Sequence, residues 1–177
     1  IDFAVTDDAA PVVTLKNGAD VTLNYGSDFN LSDYVDVTDN FDGVVQPQVE
    51  GSIDNHKEDG VQTLTIKATD SSGNESSAQL NVAVKDTEAP KISLSKSEVS
   101  VNVGASLDLS NYLSSATDNK DGDVKGKVSI PSVSTSKAGS YTATYTVSDA
   151  AGNQGSASLT VKVNAVRTSS KKGSVAI

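Results

Sequence analysis

Several absences bound this chain before any pattern is read. It has no cysteine, which excludes disulfide frameworks, thiolate catalysis and Cys-ligated zinc. It has no tryptophan and only 5% aromatic residues, so a sugar has few ring faces to stack on and the core must be thin and aliphatic. Basic residues are in deficit, with 14 Lys and Arg against 23 Asp and Glu and a net charge of -9. That balance argues against nucleic-acid binding, which needs a basic surface to displace counterions from phosphates. No apolar run approaches the ~20 residues that span a bilayer, so membrane insertion is not expected. With no initiator Met, signal peptide or lipidation motif in view, the 177 residues read as a mature protein or an excised piece of one.

What is present is a repeat. A shift of 79 places Pro11 on Pro90, Leu15 on Leu94 and Gly60 on Gly139. The same shift lays Asp39-Asn40-Phe41-Asp42-Gly43 on Asp118-Asn119-Lys120-Asp121-Gly122, and Asp70-Ser71-Ser72-Gly73-Asn74 on Asp149-Ala150-Ala151-Gly152-Asn153. Between Val21 and Tyr34 the shift is 78, so one residue is expected to be gained and lost in loops. Ile1, Phe3, Val5 and Asp7 fall on Leu80, Val82, Val84 and Asp86, so residues 1–7 read as the last strand of a preceding, truncated repeat. The expected organisation is then a first domain over 8–86, a second over 87–165, and a flexible basic spacer over 166–177 that carries Arg167, Lys171 and Lys172. The chain reads as a window from a longer protein.

Each unit reads as all-β. Val99, Val101 and Val103 alternate with polar residues, as do Tyr141, Ala143, Tyr145 and Val147, and Ala157, Leu159, Val161 and Val163. Period-2 alternation with Ser, Thr and Lys between describes strands packed on one face and wet on the other. Seven or so short strands per unit, with no helical apolar stripe, suit a two-sheet sandwich. Units this small should be stable by roughly 4–12 kcal/mol each.

Three motifs carry a resemblance: Asp86-Thr87-Glu88-Ala89-Pro90 at the opening of a unit, 118–122 mid-way, and 149–153 before its last strand. With the Gly139-x-Tyr141-x-x-x-Tyr145 strand, they make residues 8–164 similar to the bacterial Ig-like surface repeats. The resemblance implies two tandem Ig-like β-sandwich domains on a secreted or wall-attached bacterial protein, commonly a spacer or adhesion module. Unit 1 departs from the pattern, with Gln62 and Ile66 where Tyr141 and Tyr145 stand. A tyrosine-corner bond is therefore not expected there.

The Asp-Asn-x-Asp-Gly loops are the best chemical feature. Calcium takes six to eight oxygens, and clustered Asp and Asn side chains supply them. An EF-hand is excluded, because Gly122 at its sixth position puts Val128 at the twelfth, where a bidentate Glu is required. In an Ig-like sandwich the loop after the second strand, the last hairpin loop and the incoming linker share one end. Asp118, Asn119, Asp121, Asp123 and Asp149 would then gather near Asp86 and Glu88 as calcium ligands. The competing reading is turn chemistry alone, with Asp and Asn making Asx turns and Gly supplying positive φ. Unit 1 is the poorer candidate, since Val44 replaces Asp123, although Asp7 and Asp8 precede it.

Other chemistry is weaker. His56, the only histidine, lies in the charged loop Asp54–Asp59 without a counterpart in unit 2, which suits an exposed loop rather than a catalytic triad. The carboxylates sit in turns with no apolar pocket, against glycoside hydrolysis. A Lys–Asn isopeptide using Lys91 with Asn81 or Asn164 has no spacing that demands it. No catalytic residues are expected and no cofactor beyond calcium. The reading is a non-catalytic spacer or stalk that presents a neighbouring module, with adhesion as an added role. Its expected partners are neighbouring domains of the same chain and a host-surface or cell-wall component. The Pro90 linker, restricted to extended geometry, is expected to limit hinge freedom. Two alternatives stand: a protein- or glycan-binding adhesion module, for which Phe41 is the residue to test, and the accessory repeats of a cell-wall hydrolase whose catalytic domain lies beyond residue 177.

Overall fold

The computed structural model describes residues 6–166. The bodies of the expected preceding strand (residues 1–5) and of the basic spacer (167–177) lie outside the described residues. The chain divides into two compact units between Thr87 and Glu88.

Unit 1 contains β1 (Val12–Leu15), β2 (Asp20–Asn24), β3 (Val35–Asp39), β4 (Gly43–Val44), β5 (Gln48–Glu50), β6 (Gln62–Thr69) and β7 (Glu75–Lys85). They form two sheets, β1-β3-β4 and β2-β7-β6-β5. The first edge is shared between sheets: β1 pairs antiparallel with β3, then the chain turns at Gly18 (φ 82°) and β2 runs parallel to β7. Because of that split, the 39–43 loop follows the third strand, not the second as the sequence suggested.

Unit 2 repeats the plan with β8 (Lys91–Leu94), β9 (Glu98–Asn102), β10 (Leu113–Asp118), β11 (Gly122–Asp123), β12 (Gly139–Ser148) and β13 (Gln154–Asn164). Its sheets are β11-β10-β8 and β12-β13-β9. The counterpart of β5 is reduced to a single bridge, Ser129 to Thr146. The residue lost relative to unit 1 falls in the turn before β9, as expected. The residue gained does not fall in a loop: it is a β-bulge in β10, where the register with β8 shifts between Leu113 and Ser115. A bulge absorbs one extra residue while Ala116 and Asp118 keep the inward parity of Val37 and Asp39.

Alternation builds both cores. Along β6, Leu64, Ile66 and Ala68 point inward, and along β7 Leu80, Val82 and Val84 do. In unit 2, Ala143, Tyr145 and Val147 face Leu159, Val161 and Val163. Each fully buried Leu or Val contributes about 1.5–3 kcal/mol. Among the described residues, departures from the all-strand expectation are three short 3-10 turns, Leu31–Asp33, Leu109–Tyr112 and Lys125–Lys127. The first two follow a polar residue that ends the preceding stretch, Asn30 and Asp108.

Candidate functional site

Inward alternation does not stop at the last apolar residue of a strand. In β3 the order Val35, Val37, Asp39 is buried throughout, and after β6 the series Leu64, Ile66, Ala68 continues to Asp70. Both aspartates are thus carried to the rim of the core at the end of unit 1 where β6 turns into β7. Asp7, half-buried, joins them: its main-chain carbonyl accepts from the Asn74 side-chain amide at 3.2 Å. One carboxylate oxygen from each of Asp7, Asp39 and Asp70 lies within 4.8 Å of the others.

Local hydrogen bonding occupies only part of this oxygen set. Asp39 Oδ1 accepts from the N–H groups of Phe41 (2.8 Å) and Asp42 (3.0 Å), an Asx turn completed by Gly43 at φ 74°. Asp39 Oδ2 is buried and has no hydrogen-bond partner, and neither has Asp7 Oδ2. Asp70 Oδ1 accepts from Ser72 and Asn74 N–H, and Oδ2 from the Asn74 amide at 2.7 Å. Burial pushes the Asp70 carboxyl up, but the Asn74 side chain and the N–H groups of Asn74, Ser72 and Gly73 outweigh it, and the net value lies below the ordinary one. Asp42 bridges loop to hairpin, accepting from Ser71 N–H (2.6 Å) and Ser71 Oγ (2.8 Å).

Two of the expected ligands stand together in unit 2. Asp118 and Asp149 stand where Asp39 and Asp70 stand, with carboxylate oxygens within 4.8 Å of each other. Asp118 Oδ1 accepts from Lys120 and Asp121 N–H, both at 2.9 Å, while its Oδ2 is buried without a hydrogen-bond partner. Burial raises the Asp149 carboxyl, yet bonds from Asn153, Gly152 and Ala151 bring it below its usual value. Asp121 accepts from Ala150 N–H at 2.6 Å, so the 118–122 loop and the 149–153 hairpin share one end. Asn119 and Asp123 point outward, and Asp123 accepts from Lys125 N–H. Glu88 is exposed. Asp86, buried at the end of β7, donates its N–H to the Glu58 carboxylate at 3.1 Å.

Loop composition places unit 1 below unit 2, but composition omits parity: Asp39 and Asp70 share the inward register of the valines and leucines before them.

The remaining candidates are simple. His56 is exposed and rests edge-on against Tyr25, ring centres 4.9 Å apart. The Asn81 amide donates to Asp20 (2.8 Å), and its oxygen accepts from Thr63. Within unit 2, Lys91 begins β8 beside Thr117 whereas Asn164 ends β13 beside Asn102, at opposite ends of the unit. Lys91 and Asn164 are therefore not placed for an isopeptide bond. The hydroxyl of buried Tyr145 donates to the Leu109 carbonyl at 2.7 Å.

Two three- or four-stranded sheets packed face to face, with the first edge split between them, define an immunoglobulin-like sandwich, present twice, and unit 2 adds a buried tyrosine tied to a turn. The chain belongs to the family of bacterial surface protein Ig-like domains, whose model matches residues 13–84 and 93–163. No curated protein matches it. Among solved structures it is similar to the M60 catalytic domain with the CBM51-1 and CBM51-2 domains from Clostridium perfringens ZmpB, with 12% identity, TM-score 0.49, 88% of this chain and 31% of that one. It is also similar to the titin domains z1z2 in complex with telethonin (13% identity, TM-score 0.30, 93% and 100% of the two chains). The human desmocollin-1 ectodomain is a third (14%, TM-score 0.29, 94% and 39%). The chain thus spans less than a third of the Clostridium structure.

Proposed function

We propose that the two units are load-bearing spacer repeats of a secreted or wall-attached bacterial surface protein, holding a neighbouring module away from the wall without catalysis. The observation that carries this reading is how each unit takes up and releases the chain. In unit 1 the chain enters beside the 70–74 hairpin, at the start of β7, and leaves where β7 ends beside Asn24. Entry and exit are separated by the 11 residues of β7, about 35 Å of strand. In unit 2 a Cβ at Gly155, at the start of β13, would overlap the Pro90 carbonyl, so the chain also enters there. It leaves at Asn164, whose carbonyl accepts from Val103 N–H.

Such a path suits tension. Force applied through the termini pulls β2 against β7 along their shared direction, and the Asp20–Asn24 ladder with Asn81–Lys85 resists in shear. Glu98–Asn102 with Thr160–Asn164 repeats that ladder in unit 2. Bonds loaded in shear break together, whereas an unzipped hairpin loses them one at a time.

The test is single-molecule extension of the whole chain by its ends. Two separate unfolding events of similar released length are expected, and Thr22→Pro in β2 should lower the force of one of them only. Extension without force peaks would sink the load-bearing reading.

An adhesive role draws on one observation. Phe41 and Val44 are 64% and 76% exposed, a pair of apolar side chains around the β3–β4 turn. Adhesion of cells displaying the protein should then fall on Phe41→Ser while the force peaks stay unchanged.

A further inference from the structure

We propose that Asp7, Asp39 and Asp70 of unit 1 bind a calcium-class divalent cation. The site is built from buried oxygen, not from a cluster of surface acids. Asp39 is 8% exposed, and its Oδ2 has no hydrogen-bond partner although Oδ1 accepts two N–H groups. Asp39 belongs to a set in which one carboxylate oxygen of each member lies within 4.8 Å of the others. Asp7 contributes a second buried oxygen in the same condition. Among the described residues no Lys, Arg or His forms an ion pair with any of the three.

Burying a carboxylate oxygen without a donor is costly, as at Asp7 and Asp39, and three carboxylates this close repel one another. A proton relieves one of them. A divalent cation relieves all three at once, and hard oxygen donors select calcium or magnesium over softer metals. The ligands come from three separate stretches: the chain before β1, the end of β3, and the turn after β6. Such a set can adjust its spacing, which suits calcium's 2.3–2.6 Å bonds better than the rigid octahedron of magnesium. The arrangement is pre-organised, because Asn74 holds both Asp70 Oδ2 and the Asp7 carbonyl. Water completes a coordination number that three carboxylates leave open.

The consequence is a clasp. Asp7 precedes the first strand of the unit, and a cation shared with Asp39 and Asp70 would fasten that entering segment to the rim of the sandwich. The proposal stands apart from the spacer reading, since force peaks and cation binding can fail separately.

The experiment is a calcium titration of the full chain followed by amide resonances, with magnesium in parallel. The expected result is saturable shifts at Phe41, Asp42, Ser72 and Asn74, with a dissociation constant of about 10⁻⁴–10⁻³ M, the range of extracellular modules. Asp39→Asn and Asp7→Asn should each weaken binding about tenfold or more, since affinity follows ligand charge. Asp7 makes no bond to the 39–43 loop, so its variant remains informative if Asp39→Asn disturbs that turn. Asp118 and Asp149 report in the same spectra, so the two units are read separately. Unchanged amides at those four positions in 10 mM calcium, on the order of ten times the weakest expected constant, would overturn the site. So would full affinity in Asp7→Asn, and a magnesium response equal to calcium's would overturn the ion assignment.

Discussion

Ile66 and Tyr145 occupy the same position in two copies of one fold, opposite Ala78 and Ala157, and both are fully buried. Tyr145 ties the core of unit 2 to the Leu109–Tyr112 turn through its hydroxyl. Ile66 has nothing to tie with, and unit 1 secures the equivalent region by other means. There Phe29 stacks on Tyr34 with ring centres 5.2 Å apart, where unit 2 has Leu107 and Tyr112. Gln62 replaces Tyr141 and holds Asp54 by both its backbone N–H and carbonyl, whereas Tyr141 reaches only the Lys137 carbonyl. The caps differ too. Asp108 accepts from Ser110 N–H at 2.9 Å, while Asn30, at nearly the same φ and ψ, makes no side-chain cap. The sandwich therefore tolerates either a polar pin or an aliphatic fill at one core site, provided the neighbouring turn is held some other way.

The most severe way to break the comparison is to empty both sites. Ile66→Ala should destabilise unit 1 by about 2–5 kcal/mol, and Tyr145→Ala should cost unit 2 about 3–5 kcal/mol. Urea unfolding followed by methyl resonances of each unit separates the two effects. Equal losses would mean that the pin adds nothing to the fill.

A milder cut is Tyr145→Phe, which keeps the ring and removes the bond to Leu109. A loss of about 1–2 kcal/mol is expected, confined to unit 2. Burial, aided by the charges of Tyr112 and Asp108, raises the Tyr145 phenol above its ordinary value. The folded form thus holds its proton more tightly, so this contribution is whole below the unfolded value of about 10 and falls as pH rises beyond it. Unit 2 should lose stability above that pH more steeply than unit 1, and the phenylalanine variant should lose the difference.

The smallest effect concerns the caps. Bonds from the Ser110 side chain and N–H lower the Asp108 carboxyl, against a minor opposing push from burial. A lowered folded value means that the contribution is present above the unfolded value near 3.9 and disappears as pH falls through the folded one. Asn30 does not titrate. Asp108→Asn should remove this acid-sensitive part from unit 2, and Asn30→Asp should introduce it into unit 1, where Ser32 N–H stands ready as donor. Acid titrations of both variants that superimpose on the parent would show the cap to be irrelevant.

Much of this fold was legible in the chain. The 79-residue repeat, the alternation of Tyr141 to Val147 and of Ala157 to Val163, and the positive-φ glycines at 43, 73, 122 and 152 all appear where expected. The split first edge was not legible, because β1 and β2 carry similar short patterns and only pairing assigns them to different sheets. Nor was the β10 bulge, since one added serine looks the same in a loop and in a strand. At the candidate site, composition pointed to Asp123 and Asn119, which the structure leaves outside, while the inward parity of Asp39 and Asp70 was there to be read.

Sequence alone determined which side of its strand each residue occupies. The period of two carries Val35 and Val37 into the core and must carry Asp39 with them. It could not determine which strand ends meet. Asp7, Asp39 and Asp70 are separated by about thirty residues each in the chain, and alternation has no memory over that distance. Only the tertiary structure, by pairing β1 with β3 and turning β6 into β7 at the same end, brought three inward-facing carboxylates to one rim.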